Sequence, residues 1–147
     1  MAEDSCRLPA RGEEEDVGPL RRMLNARRIA VVGLSDDPSR PSFAIASYLL
    51  SAGKEVIPVN PNHTSVLGEK CYPSLESVPG PIDVVNVFRR PEFCGEVARS
   101  AAKVGAKGLW LQSGITSDEA REIAGRAGID FVENRCIMVE MMHNGRD

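Results

Sequence analysis

Arg28-Ile-Ala-Val-Val-Gly33-Leu-Ser-Asp-Asp-Pro-Ser-Arg-Pro-Ser42 is the stretch that decides the fold. An apolar, β-branched run ends on a glycine, a polar turn follows, and then apolar residues recur at helical spacing: Ile45, Tyr48, Leu49 and Ala52, with Gly53 as a left-handed stop. The period changes from that of a buried strand to that of a helix within a few residues. Such a junction is the first half of a βαβ unit.

Working outward, the same alternation occurs five times. The other apolar runs are Glu55-Val-Ile-Pro-Val59, Asp83-Val-Val-Asn-Val-Phe88, Gly108-Leu-Trp-Leu111 and Ile129-Asp-Phe-Val132. All are short and nearly continuous in apolar residues, as strands covered on both faces are. Between them the spacing predicts helices over 91–104, with Pro91 in the first turn and Gly105 at the end, and over 117–127. Thr116 and Glu119 have the separation of a capping box there, and Gly128 closes the helix. Residues 60–81 read mostly as loop, with one turn at 74–77. A short helix over 17–25 carries Leu20, Met23 and Leu24 on one side. Residues 1–16 are acidic and aperiodic and read as a flexible tail, leaving 17–147 as one domain. Met138 to Asp147 follows no clear pattern, and His143 reads as part of a C-terminal tail.

The expected fold class is therefore α/β: a Rossmann-like, doubly wound, mostly parallel five-stranded sheet with helices on both faces. Five strands are too few for an eight-stranded barrel. The expected strand order is 3-2-1-4-5.

Bulk properties narrow the function. A chain of 147 residues matches one ordinary domain. Its net charge of −3 provides no basic field for nucleic acid. No apolar run approaches the ~20 residues of a membrane-spanning helix, and the acidic N-terminus does not read as a secretory signal. Cys6, Cys71, Cys94 and Cys136 are far apart, with no CxxC pair, so reduced thiols and a cytoplasmic setting are expected, without a metal site. No catalytic triad, carboxylate pair or other catalytic group can be assembled. His63 reads as a surface residue, Trp110 as core, and Cys136 as a quiet buried thiol.

Open α/β sheets bind ligands beyond the carboxyl ends of their strands. The five segments that follow the strands are all polar: 33–42, Asn60-Pro-Asn-His63, Arg89-Arg-Pro91, Gln112-Ser-Gly114 and Glu133-Asn-Arg-Cys136. The first leads into a helix N-terminus, whose free N–H groups and dipole attract phosphate. Gly33 permits close backbone approach, Ser35 and Ser42 offer hydroxyls, and Arg40 offers a charge. Arg89 and Arg90 can meet phosphate oxygens. The turn is not GxGxxG, since Pro38 stands where the third glycine would fall. The second strand ends in Val59-Asn60-Pro61, with no acid for a ribose diol. Both departures count against NAD.

From about Arg27 to Cys136 the chain resembles the small CoA-binding domain proteins. These are related to the N-terminal domain of the succinyl-CoA synthetase α subunit and of ADP-forming acyl-CoA synthetases. The resemblance rests on Ala30 to Ser42, Val56-Ile-Pro-Val-Asn-Pro61, Leu67-Gly-Glu-Lys70, Asp83 to Pro91, Leu109-Trp-Leu-Gln112 and Asn134-Arg-Cys136. It implies coenzyme A, or an acyl-CoA, lying across the strand tips. Gly33, Leu34, Ser35 and Arg40, with the helix start at Pro41 and Ser42, would hold phosphates. Asn60 and Pro61 would border the adenosine end, Phe88 and Arg89 the middle, and Gln112, Ser113 and Gly114 the far side. The synthetases' phosphorylated histidine comes from another domain, so the expected role is a binding module, with a protein partner or a homo-oligomer as possible context. The alternatives are a subunit of a split CoA ligase, an NAD(P)-type oxidoreductase, and a cofactor-free protein-contact module.

Overall fold

The computed structural model describes residues 18–144, so the stretch 1–16 read as a flexible tail lies outside it. A helix, α1, covers 18–24. It is followed by β1 (Arg28–Val32), α2 (Pro41–Ser51), β2 (Glu55–Val59), β3 (Ser65–Val66) and β4 (Glu69–Lys70). A 3-10 turn at Leu75–Ser77 leads to β5 (Val84–Val87), α3 (Pro91–Lys103), β6 (Gly108–Leu111), α4 (Asp118–Ala127), β7 (Asp130–Val132) and α5 (Ile137–Asn144).

Five strands form one parallel sheet in the order β2-β1-β5-β6-β7. Numbering only these five, the order is 2-1-3-4-5, which corrects the expected 3-2-1-4-5. The reason lies in β2. Pro58 has no N–H for a second ladder, so the strand suits a sheet edge. Its outer side is covered locally by a bridge between Val59 and Tyr72, in which Tyr72 N donates to Pro58 O and Asn60 N to Tyr72 O.

The sheet separates two apolar layers. On one face Ala30, Val32, Ile57, Val59, Val85, Val87, Leu109 and Leu111 meet α3 and α4 through Val97, Ala98, Ala101, Ala120 and Ala124. On the other, Ile29, Val31, Val56, Val84 and Trp110 meet α1, α2 and α5 through Met23, Leu24, Ile45, Leu49, Ile137 and Met141. Trp110 is fully buried, as expected, and its Nε1 donates to Arg135 O at 2.8 Å. The edge strand β7 is only half-buried, unlike the other four.

Three local readings change. Residues 60–81 contain the antiparallel hairpin β3–β4 besides the expected turn. The cap of α4 is Ser117, whose Oγ accepts from Ala120 N, and not Thr116. The segment 137–144, including His143, is a helix: Ile137 and Met141 are buried one turn apart and clamp it to the sheet. The glycines expected to stop α2, α3 and α4 carry φ of 89°, 75° and 72° at Gly53, Gly105 and Gly128.

Candidate functional site

The strand order places the point where the chain reverses direction between β1 and β5. In a sheet of this order the crevice at that point is where ligands bind. Gly33 and Phe88, the first residues beyond the two strands, are in close contact there. A Cβ on Gly33 would stand 2.8 Å from Phe88 O, and Gly33 has φ of +87°. Both facts demand glycine at this position.

Beside this junction is a cleft of about 550 Å³, within the usual range for small-molecule sites. Its apolar floor is made by Val32, Val59, Leu75 and Val97, and its lip includes Asn60, Ser74, Glu76, Arg89, Glu96 and Ser100. Asn60 ties two tips together, its Nδ2 donating to Leu34 O at 3.0 Å. His63, read as a plain surface residue, lies beside the turn after β1, its Nδ1 3.7 Å from Asp36 Oδ2.

Of the residues singled out from the sequence, Gly33, Asn60, Pro61 and Arg89 line this cleft together. Leu34 is fully buried, and its O accepts the bond from Asn60. Phe88 is half-buried. Ser35, Arg40, Pro41 and Ser42 run from β1 to α2, which packs on the opposite face of the sheet from α3. Several donors in that turn are already used within it. Ser35 N donates to Ser42 Oγ at 3.1 Å, and Asp37 N to Ser35 Oγ at 3.0 Å. Ser39 N and Oγ donate to Asp37 Oδ1 at 2.9 and 2.8 Å, bonds that hold the Asp37 carboxyl below its ordinary pKa. Arg40 itself is exposed and precedes α2.

Ser113 and Gly114 are exposed at the tip of β6, one strand beyond β5. Gln112 is turned inward and is only 4% exposed. Its Oε1 accepts from Ile137 N at 2.9 Å and from Asn86 Nδ2 at 3.2 Å, so it caps α5 and holds the tip of β6. Asn86 is fully buried, and its Oδ1 has no partner. Cys136 is half-buried at the strand-end edge.

Sequence reading missed the side of the cleft formed by Ser74, Leu75, Glu76, Glu96, Val97 and Ser100. Part of it was available: Glu96 and Ser100 stand four apart on a helix and share a face. Among the described residues no cluster of three or more His, Cys, Asp or Glu side chains is placed to hold a metal, and no helix is long and apolar enough to cross a membrane.

Residues 27–142 match the family described as "CoA binding domain". The chain belongs to this family. The α subunit of an ADP-forming acetate–CoA ligase II from Pyrococcus furiosus is 28% identical over 131 residues, covering 82% of this chain and 29% of that subunit. The chain thus spans under a third of that ligase subunit. A Bacillus subtilis protein of uncharacterised function, YneT, is 38% identical over 131 residues, covering 89% of this chain and 93% of YneT. A hypothetical protein from Pyrococcus horikoshii has a solved structure with a TM-score of 0.83 and 39% identity, covering 87% of this chain and 90% of that one.

Proposed function

We propose that the chain binds coenzyme A, or an acyl-CoA, in the cleft and across the strand tips, as a binding module whose reaction chemistry comes from a partner. The observation that carries this reading is the coincidence of the cleft with the β1/β5 reversal point. Its chemistry suits the ligand. The apolar floor of Val32, Val59, Leu75 and Val97 takes the uncharged parts of the molecule. Arg89, which has no acid within ion-pair distance among the described residues, takes a phosphate. From there an extended ligand passes over the strand tips, with Arg40, Pro41 and Ser42 at the start of α2 on one side and Ser113 and Gly114 on the other. Asn60 and Pro61 border its adenosine end.

The ligase relative named as a subunit supports a protein partner for this chain. A place as one subunit of a split ligase is the nearest alternative.

The test is ligand-dependent melting with CoA, NAD, NADP and FAD. A ligand at 100 times its Kd stabilises by about 2.7 kcal/mol, which for this size means several degrees. A shift with CoA and not with the dinucleotides is expected. A shift with NAD and none with CoA would overturn the reading.

A further inference from the structure

Resting on that reading, we propose that Phe93 is a positioning residue: its ring holds the Arg89 guanidinium ready for a phosphate of the ligand. Phe93 stands in the first turn of α3, is 36% exposed, and belongs to neither apolar layer. Its packing into the fold therefore gives little reason for a phenylalanine here. What it touches is Arg89, whose guanidinium carbon lies 4.5 Å from the ring centroid.

Arg89 is constrained from two directions. A Cβ on Gly33 would come within 3.4 Å of Arg89 Cδ, so the aliphatic stem lies close to bare glycine backbone. The charged head lies over Phe93. The adjacent Arg90, by contrast, is exposed and stands 3.8 Å from Glu92. Arg89 has no such counter-ion among the described residues, and a cation just ahead of a helix N-terminus is mildly unfavourable on its own. The ring satisfies only the face of the guanidinium. The N–H groups in its plane have no hydrogen-bond partner among the described residues, which leaves them free to form the fork that meets two phosphate oxygens at once. Fixing that plane before binding reduces the ordering cost of the contact.

The test is CoA affinity by calorimetry for Phe93→Leu, Phe93→Trp, Arg89→Ala and the double variant Arg89→Ala/Phe93→Leu, with melting temperatures for all. An exposed cation–π contact predicts an affinity loss of about two- to five-fold for Phe93→Leu. Phe93→Trp, which keeps the stack, should bind like the wild type. In the Arg89→Ala background Phe93→Leu should cost nothing more, because the two residues act as one. Melting temperatures should be unchanged in Phe93→Trp and fall by no more than about 3 °C in Phe93→Leu. Unchanged affinity in Phe93→Leu, a loss that persists without Arg89, or failure of Phe93→Trp to bind normally would each overturn the role of Phe93 while leaving CoA binding intact. A wild-type protein that does not bind CoA would overturn both.

Discussion

Replacing Gln112 with leucine separates holding the fold from holding the ligand. Its amide oxygen is the acceptor for two buried donors, Ile137 N and Asn86 Nδ2. Leucine is close in size and removes both bonds. Ile137 N is left without this acceptor and Asn86 Nδ2 keeps only a long 3.5 Å bond to Trp110 O; each such loss costs about 1–3 kcal/mol, and the apolar surface gained by leucine returns about 1 kcal/mol. The net loss is about 3 kcal/mol. For 147 residues the entropy of unfolding is about 0.3 kcal/mol per degree, so the midpoint should fall by about 10 °C. Changing Asn86 to leucine as well should recover part of this, since its Oδ1 is already unpartnered and only Ile137 N then stays stranded. Calorimetric melting of the wild type and the two variants, with CoA affinity measured well below each midpoint, is the assay. The folded variants should bind CoA within about two-fold of the wild type, because the amide points into the protein. An unshifted melting temperature with a ten-fold affinity loss would refute this account of Gln112.

Arg40→Ala should weaken CoA binding by about three- to ten-fold with an unchanged melting temperature, since Arg40 is exposed and its side chain makes no cap bond to α2; undiminished affinity would remove this residue from the site. Glu96→Gln should tighten CoA binding by about two- to five-fold at low salt by removing like charge from the cleft lip, an effect that fades as salt rises; weaker binding would mean that Glu96 accepts a bond from the ligand. In a Cys6→Ser background, iodoacetamide at neutral pH should modify Cys136 before Cys71 and Cys94, whose thiols burial pushes above their ordinary pKa. The folded values of those two lie above the unfolded one. The stability tied to them is thus complete below about pH 8.5 and lost as pH climbs through the raised values. Denaturant melts between pH 8 and 10.5 should fall more gently in Cys94→Ala; identical slopes would refute the link.

Much of the fold is legible because strand and helix periods alternate so clearly. Gly33, Pro91 and Gly128 occupy the backbone positions their chemistry suggests. What escaped depends on contacts distant in sequence. The helix α5 has no stop signals of its own and is held by Gln112 and the buried pair Ile137 and Met141. The hairpin β3–β4 is two residues per strand, too short for any period to register. Gln112 read as a strand-tip polar group and was placed beside the ligand for that reason. Only the presence of α5 shows why a buried amide is needed there.

The strand order shows how one overlooked residue governs the site. Pro58 argues for an edge position for β2. With β2 at the edge, the chain leaving it must cross β1 to reach β5, and the reversal point falls between β1 and β5. In the order 3-2-1-4-5, the strand before Phe88 and Arg89 would lie beyond β2, two strands from Gly33. In the observed order Arg89 lies alongside Gly33, within reach of the turn after β1 and of Asn60 after β2. The residues that form the cleft come from segments scattered between Val32 and Ser100. What unites them is a topology in which a proline's missing N–H keeps one strand at the margin and leaves the other flank of β1 to β5.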